Sequence, residues 1–418
     1  MLCLVTIWYY CYTIYAAIEF FSHPTQSVPD FHPPITILKP ICGLDIDTYE
    51  NFASFCQQDY PEYQIIFSVR HERDPSVEVV QKIIHNFPEV DIRLVVSKQT
   101  IGANLKVSNL ANAEAEARYS FLVLADSDVR VGPDYLRRII QPMLDPAVGV
   151  VTCLYRPLVR GKVAILEAIG IATDYQAGVL AARKLEGMKF ALGPTIAIRR
   201  TALEAIGGFL TIADYLADDF QLGYLPTQVG YKVVLSDYVI EHAIATTSLI
   251  DLIHRQSRWA CCVRVSRPWG YLGLLFTYGI AISLLFLIAT GGSSFGWAVL
   301  GITWITRLAM GWVVGVRSLH DPVAKKFLWL IPLRDLMSFA LWCYSFVGNT
   351  IEWRGRRLKL IKGGKLVPIT DDSVKPPSRP DTQHYNADRD HRDACPSQPR
   401  YPLLKHSAGQ GDINDVST

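Results

Sequence analysis

Apolar positions recur along this chain in three rhythms, and the points where the rhythm changes divide it into parts. Residues 1–18 carry no charge, and with the stretch to Ser22 they supply the ~20 apolar residues a helix needs to cross a bilayer core. Neither a basic leading region nor a small-residue cleavage site precedes Ser22, so residues 1–22 read as an uncleaved anchor. Between 34 and 262 the apolar runs shorten to strand length, at 35–38, 63–69, 92–96 and 119–125. Residues 77–87 and 106–117, set between them, carry apolar residues at helical spacing. This alternation predicts an α/β domain around a buried, mostly parallel sheet. Long apolar runs return over 268–350, where 271–290 and 297–316 read as spans. Pro332, Arg334 and Asp335 break 327–347 into pieces too short to cross alone, which predicts an interfacial or re-entrant pair. Residues 351–370 are basic, and 371–418 are rich in Pro, Asp, Ser and Arg and are expected to be disordered.

Composition agrees that part of the chain lives in lipid. Of 418 residues, 50% are hydrophobic and 19% charged, against about a quarter charged in ordinary soluble domains. A net charge of +2 is too small for a nucleic-acid partner. The 9 cysteines are scattered without a Cys-x-x-Cys spacing and read as reduced thiols. The basic loop 317–326 and the basic residues Arg354 to Lys365 are expected on the cytosolic side, with the N-terminus outside and the 34–262 domain in the cytosol. Arg307 lies inside an apolar block, where it costs ~2.5–3.5 kcal/mol unless paired. It is either a structural partner or a group near the substrate's polar end.

Ligands of open α/β sheets gather beyond the carboxyl ends of the strands. Asp126 and Asp128 stand there, just after the run ending at Ala125. Two carboxylates at alternate positions of an extended segment point the same way, and hard divalent cations take such ligands together with substrate phosphates. A second pair, Asp218 and Asp219, opens a helix; it either caps the helix or supplies a base for an acceptor hydroxyl. Arg255 and Arg258 share a helical face beside Trp259, just before the membrane. They suit phosphate oxygens and a flat apolar wall, and equally suit anchoring at an interface.

Together these residues resemble the ceramide glucosyltransferase family, glycosyltransferase family 21. The resemblance covers residues 34 to about 365 and rests on three separated aspartates, Asp91, Asp126 and Asp219, followed by Arg255, Arg258 and Trp259. Segments 37–43, 102–110 and 193–200 are similar to it as well. It implies an inverting nucleotide-sugar enzyme of the GT-A type with N- and C-terminal transmembrane helices. Asp91, Lys106 and Asp126 would hold the nucleotide donor, Asp126 and Asp128 a Mg2+ or Mn2+ ion on the diphosphate, and Asp219 would be the base. Arg255, Arg258 and Trp259 would complete the catalytic set. Asp218 departs from the Glu that many relatives carry before the base. Bacterial hopanoid-associated glycosyltransferases are similar in the same places. The expected reaction is therefore transfer from UDP-glucose to ceramide, with UDP-N-acetylglucosamine and a hopanoid polyol as the rival pair. A processive polysaccharide synthase is the alternative of another class. The expected location is a multi-pass protein of a bacterial inner membrane, its partners a UDP-sugar, the lipid acceptor and the bilayer.

Overall fold

The computed structural model describes residues 1–23, 30–244, 248–353 and 356–369. The expected disordered tail, 371–418, lies outside them. The chain opens on α1 (Leu2–Ser22). It then enters the sheet through β1 (Ile35–Pro40), α2 (Thr48–Cys56), β2 (Tyr63–Val69), α3 (Ser76–Asn86), β3 (Asp91–Val96), α4 (Leu105–Glu114) and β4 (Phe121–Ala125). These are the strands and helices that the alternation predicts. All of β1 is buried, as a strand covered on both faces of a parallel sheet must be.

The second half is less regular. β5 (Val129–Arg130), α5 (Tyr135–Ile140) and β6 (Val148–Val159) precede α6 (Val163–Gly170) and α7 (Gln176–Glu186), which a π-helical turn joins at Ile171–Tyr175. Then come β7 (Thr195–Arg199), α8 (Arg200–Ala205), α9 (Gly208–Ile212), α10 (Asp218–Gln228) and β8 (Lys232–Ile244). The sheet order is β3-β2-β1-β4-β7-β6-β8-β5. β1 to β4 are mutually parallel, whereas β7 runs against both β4 and β6. The sheet is mixed: β7 and the two-residue β5 run against the other six strands, which share one direction as the expected mostly parallel sheet requires.

α11 (Leu249–Ser266) leads out to the apolar helices α12 (Pro268–Gly273), α13 (Gly279–Ala289), α14 (Ser294–Gly311), α15 (Pro322–Phe327) and α16 (Ile331–Tyr344). Among the described residues, four helical runs are long and apolar enough to cross a membrane: Leu2–Ser22, Val163–Glu186, Ser294–Ser318 and Pro322–Val347. Their shapes differ from the sequence reading in two places. The 271–290 stretch is a pair bent by 61° between Thr277 and Gly279, while 327–347 lies within one helical run. Pro332 is accommodated because it stands in the first turn of α16, where no N–H is required. Arg334 and Asp335 are both buried there. The bend is fastened to α1, whose Tyr10 hydroxyl donates to Thr277 O and accepts from Gly279 N, each at 2.9 Å.

The basic segment after residue 350 is an antiparallel sheet, β9 (Thr350–Trp353), β10 (Arg356–Leu360) and β11 (Leu366–Pro368). It packs on the α/β domain. Leu216 N donates to Gly364 O at 3.2 Å and Leu366 N to Asp214 O at 2.7 Å. Among the described residues, seven cysteines are free.

Candidate active site

The loop after β4 is set by the backbone. Asp126 N donates to Pro194 O at 3.1 Å, and Asp128 O accepts from Ala243 N at 2.8 Å. From below, the fully buried Lys39 donates to Asp126 O at 2.9 Å, its ammonium resting 3.8 Å from the centre of the Phe55 ring. Burial pulls the Lys39 ammonium down to about 7, against the Asp126 and Asp128 carboxylates that favour its charge.

A second loop closes over the first. Asn104 caps α4 by accepting from Lys106 N and Val107 N, and its Nδ2 donates to Tyr215 O at 2.8 Å and Asp218 Oδ1 at 3.3 Å. Ala103 N donates to Asp214 Oδ1 at 2.8 Å. The approach is so close that a Cβ on Gly102 would fall 2.6 Å from the Ala213 carbonyl oxygen. With this loop in place, Lys106 reaches both acidic pairs, at 2.7 Å from Asp126 Oδ1 and 3.5 Å from Asp218 Oδ2. Burial alone would lower the Lys106 ammonium, but the two carboxylates more than offset it and hold the proton firmly.

Asp219 does two things at the start of α10. Its Oδ1 accepts from Phe220 N at 2.7 Å, the ordinary service of an acid in a first turn. Its Oδ2 lies where a Cβ on Gly193 would be only 2.9 Å away, so glycine there leaves the oxygen room. Enclosure in the protein, with the Asp218 carboxylate beside it, pushes the Asp219 carboxyl up to about 6, in spite of Lys106. A carboxylate so poised can take a proton near neutrality.

Asp128 has a partner of its own. Its Oδ2 is 3.1 Å from His242 Nε2 on β8, and its buried Oδ1 has no hydrogen-bond partner among the described residues. Burial would push the Asp128 carboxyl up, but His242 outweighs it and holds the group below its usual range. Among the described residues no three or more His, Cys, Asp or Glu side chains form a set able to hold a metal by themselves. Two carboxylates plus substrate phosphates are nevertheless what Mg2+ commonly takes, and the orphaned Asp128 oxygen fits that role.

The structure thus brings Lys106, Asp126, Asp128, Asp218 and Asp219 to one edge of the sheet. It does not bring Asp91. That residue opens β3, paired in register with Gln64 at the start of β2, and so lies at the amino edge. There it bonds Arg118 at 2.9 Å. Six residues of strand span about 16 Å, which separates it from the carboxyl edge where Asp126 stands. Arg255 pairs with the fully buried Glu167 at 3.1 Å. Tyr155, on β6, lies in the field of both Glu167 and Asp219. Arg258 is half-buried on α11 and Trp259 is 37% exposed. His242, Lys39, Asn104 and Tyr155 were not singled out in the sequence; only Asn104, before a helix, carries a recognisable capping signal.

The profile of Glycosyl transferase family 21 matches residues 1–366. The chain is 24% identical over 380 residues to ceramide glucosyltransferase 1 of Caenorhabditis elegans, covering 88% of this chain and 79% of that one. A shorter stretch, 148 residues at 32% identity, aligns with the ceramide glucosyltransferase of Komagataella phaffii and covers 33% of this chain and 29% of the relative. Among solved structures, the mannosyltransferase PcManGT from Pyrobaculum calidifontis, in complex with GDP-Man and Mn2+, is similar in fold. Its TM-score is 0.51 over 83% of this chain and 97% of its own, at 19% identity. The profile match runs from α1 through the acidic cluster to β11, and the chain belongs to glycosyl transferase family 21, the ceramide glucosyltransferase family, as a hexosyltransferase of GT-A type.

Proposed function

We propose that this enzyme transfers glucose from UDP-glucose to a hydroxyl of ceramide, with inversion, at the cytosolic face of a membrane. The observation that carries the reading is Asp219, a carboxylate poised near 6 within a cluster that joins both acidic pairs through Lys106. The names of the relatives point to the donor sugar and to the acceptor.

Lys106 holds the donor diphosphate, turning from its carboxylate partners Asp126 and Asp218 to phosphate oxygens. Asp126 and Asp128 would carry a divalent cation, which supplies positive charge to the departing diphosphate. Asp219 Oδ2 takes the proton of the acceptor hydroxyl as its oxygen attacks the anomeric carbon. The bond from that carbon to the diphosphate breaks and UDP leaves with the electron pair. Asn104 and Gly193 fix where Asp219 and its neighbour sit, so the base is in position before the acceptor arrives.

The test is to incubate membranes containing the full chain with labelled UDP-glucose or UDP-N-acetylglucosamine, and with ceramide or a hopanoid polyol, and to identify the products by mass. Glucosylceramide as the main product is expected. A product seen only with the hopanoid pair would replace this reading with that one.

A further inference from the structure

A second concentration of buried polar groups lies where α6 and α11 meet α16. Arg334 on α16 is 6% exposed. Its Nη2 donates to Gln256 Oε1 on α11 at 2.8 Å, whereas Nε and Nη1 have no hydrogen-bond partner among the described residues. Two buried hydroxyls on the same two packed helices are equally unanswered: Ser338 Oγ, one turn along α16 from Arg334, and Ser257 Oγ on α11. Asp335 does not relieve Arg334, because both of its oxygens accept from Arg307 at 2.8 Å. Folded proteins rarely leave buried polar groups unsatisfied, so a charged guanidinium and two hydroxyls left so on two packed helices point to a ligand that supplies oxygen.

The surroundings narrow the chemistry of that ligand. Asp174, Glu167 and Asp335 all lie in the field of Arg334, so an anionic phospholipid head would meet three carboxylates there and gain little. A neutral head with carbonyl or hydroxyl oxygens suits it. An apolar surface continues from the same spot. Tyr278, at the bend between α12 and α13, also lies in the field of Arg334, and its ring is 5.7 Å from Phe339 and 6.1 Å from Trp342. Phe339 and Trp342 stack at 6.1 Å. In the other direction α11 carries Cys262, which lies in the field of Asp219. One helix thus connects the proposed base to the unsatisfied guanidinium.

We propose that Arg334, Ser257 and Ser338 seat the polar head of the acceptor lipid. The free N–H groups of Arg334 donate to a head-group oxygen, the two hydroxyls bracket it, and the hydrocarbon chains lie along Tyr278, Phe339 and Trp342. This inference rests on the reading of the acceptor as a neutral lipid.

The experiment measures KM for N-hexanoyl-sphingosine in phosphatidylcholine vesicles and KM for UDP-glucose, in the full chain and in Ser257→Ala, Ser338→Ala and Arg334→Lys. The serine variants remove one oxygen each and keep the fold testable should the arginine variant not assemble. The acceptor KM is expected to rise severalfold in each serine variant and roughly ten-fold or more in Arg334→Lys, the loss typical of a hydrogen bond to a charged donor. The donor KM is expected to stay put. An unchanged acceptor KM, or donor and acceptor KM rising together, would overturn the seat while leaving the activity reading intact. Wild-type membranes that glucosylate no lipid would instead remove that reading, and this inference with it.

Discussion

At the scale of single residues, the chemistry turns on which groups share the carboxyl edge of the sheet. Asp219→Asn removes the base but keeps the shape and the Phe220 bond, so kcat should fall by ~10²–10⁴ with donor binding largely kept. Steady-state kinetics alongside calorimetric titration with UDP would separate the two; lost UDP binding with intact turnover would sink the role. The same group sets a pH dependence. Asp219 accepts a proton only when ionised, and it is protonated below about 6, so kcat/KM should fall as pH drops through that value. A flat profile between pH 5 and 7 would argue for another base. Asp126→Ala should weaken Mn2+-dependent UDP binding and leave metal-free binding little changed. Sequence placed Asp126 and Asp219 well, since each stands at the end of a strand or the start of a helix that its neighbours declare. Asp91 shows where that reasoning stops. An acid at the start of a strand looks like one at the end until the register with Gln64 is known. His242 was illegible for a related reason, because it meets Asp128 only through the pairing of β5 with a strand more than a hundred residues later.

At the scale of elements, the unexpected feature is the sheet formed by β9, β10 and β11. Its charge suggested a tether beside the membrane, and charge does not reveal that alternate residues such as Leu358, Leu360 and Leu366 are buried. That alternation is the strand signal, present but short and hidden among lysines and arginines. Through Gly364 and Leu366 the sheet holds residues 214–216, the loop that delivers Asp218 and Asp219. Leu366→Pro deletes the N–H that reaches Asp214 O, and should lower kcat several-fold while the four long apolar runs remain assembled. Kinetics and detergent-gel elution volume would check this together. An unaltered kcat would show that the loop holds itself.

At the scale of the whole molecule, the buried pair of Arg307 and Asp335 joins two of the apolar helical runs, and Arg307 Nη1 adds a bond to Thr173 O at 3.1 Å. Of the two roles open to Arg307 in sequence, the structure displays the paired one. Asp335→Leu alone should destabilise the protein by ~3–5 kcal/mol, and adding Arg307→Met should recover most of it. Thermal unfolding in detergent is the measurement; equal losses in single and double variants would contradict the pairing. Fold class was readable because alternating strands and helices announce themselves locally. The arrangement of the apolar helices was not, because it depends on contacts such as that of Tyr10 with the bend at Tyr278. That contact also bears on how the protein is made. Tyr10 and its partners are separated by 267 and 269 residues, so at 5–20 residues per second α1, which ends at Ser22, is complete roughly 13–51 s before the bend it fastens has been synthesised. Thr6 and Thr13 satisfy their hydroxyls on their own helix, at Leu2 O and Tyr9 O, and lose nothing by waiting. Tyr10 does wait, and the newborn chain must shelter one phenol until its far end arrives.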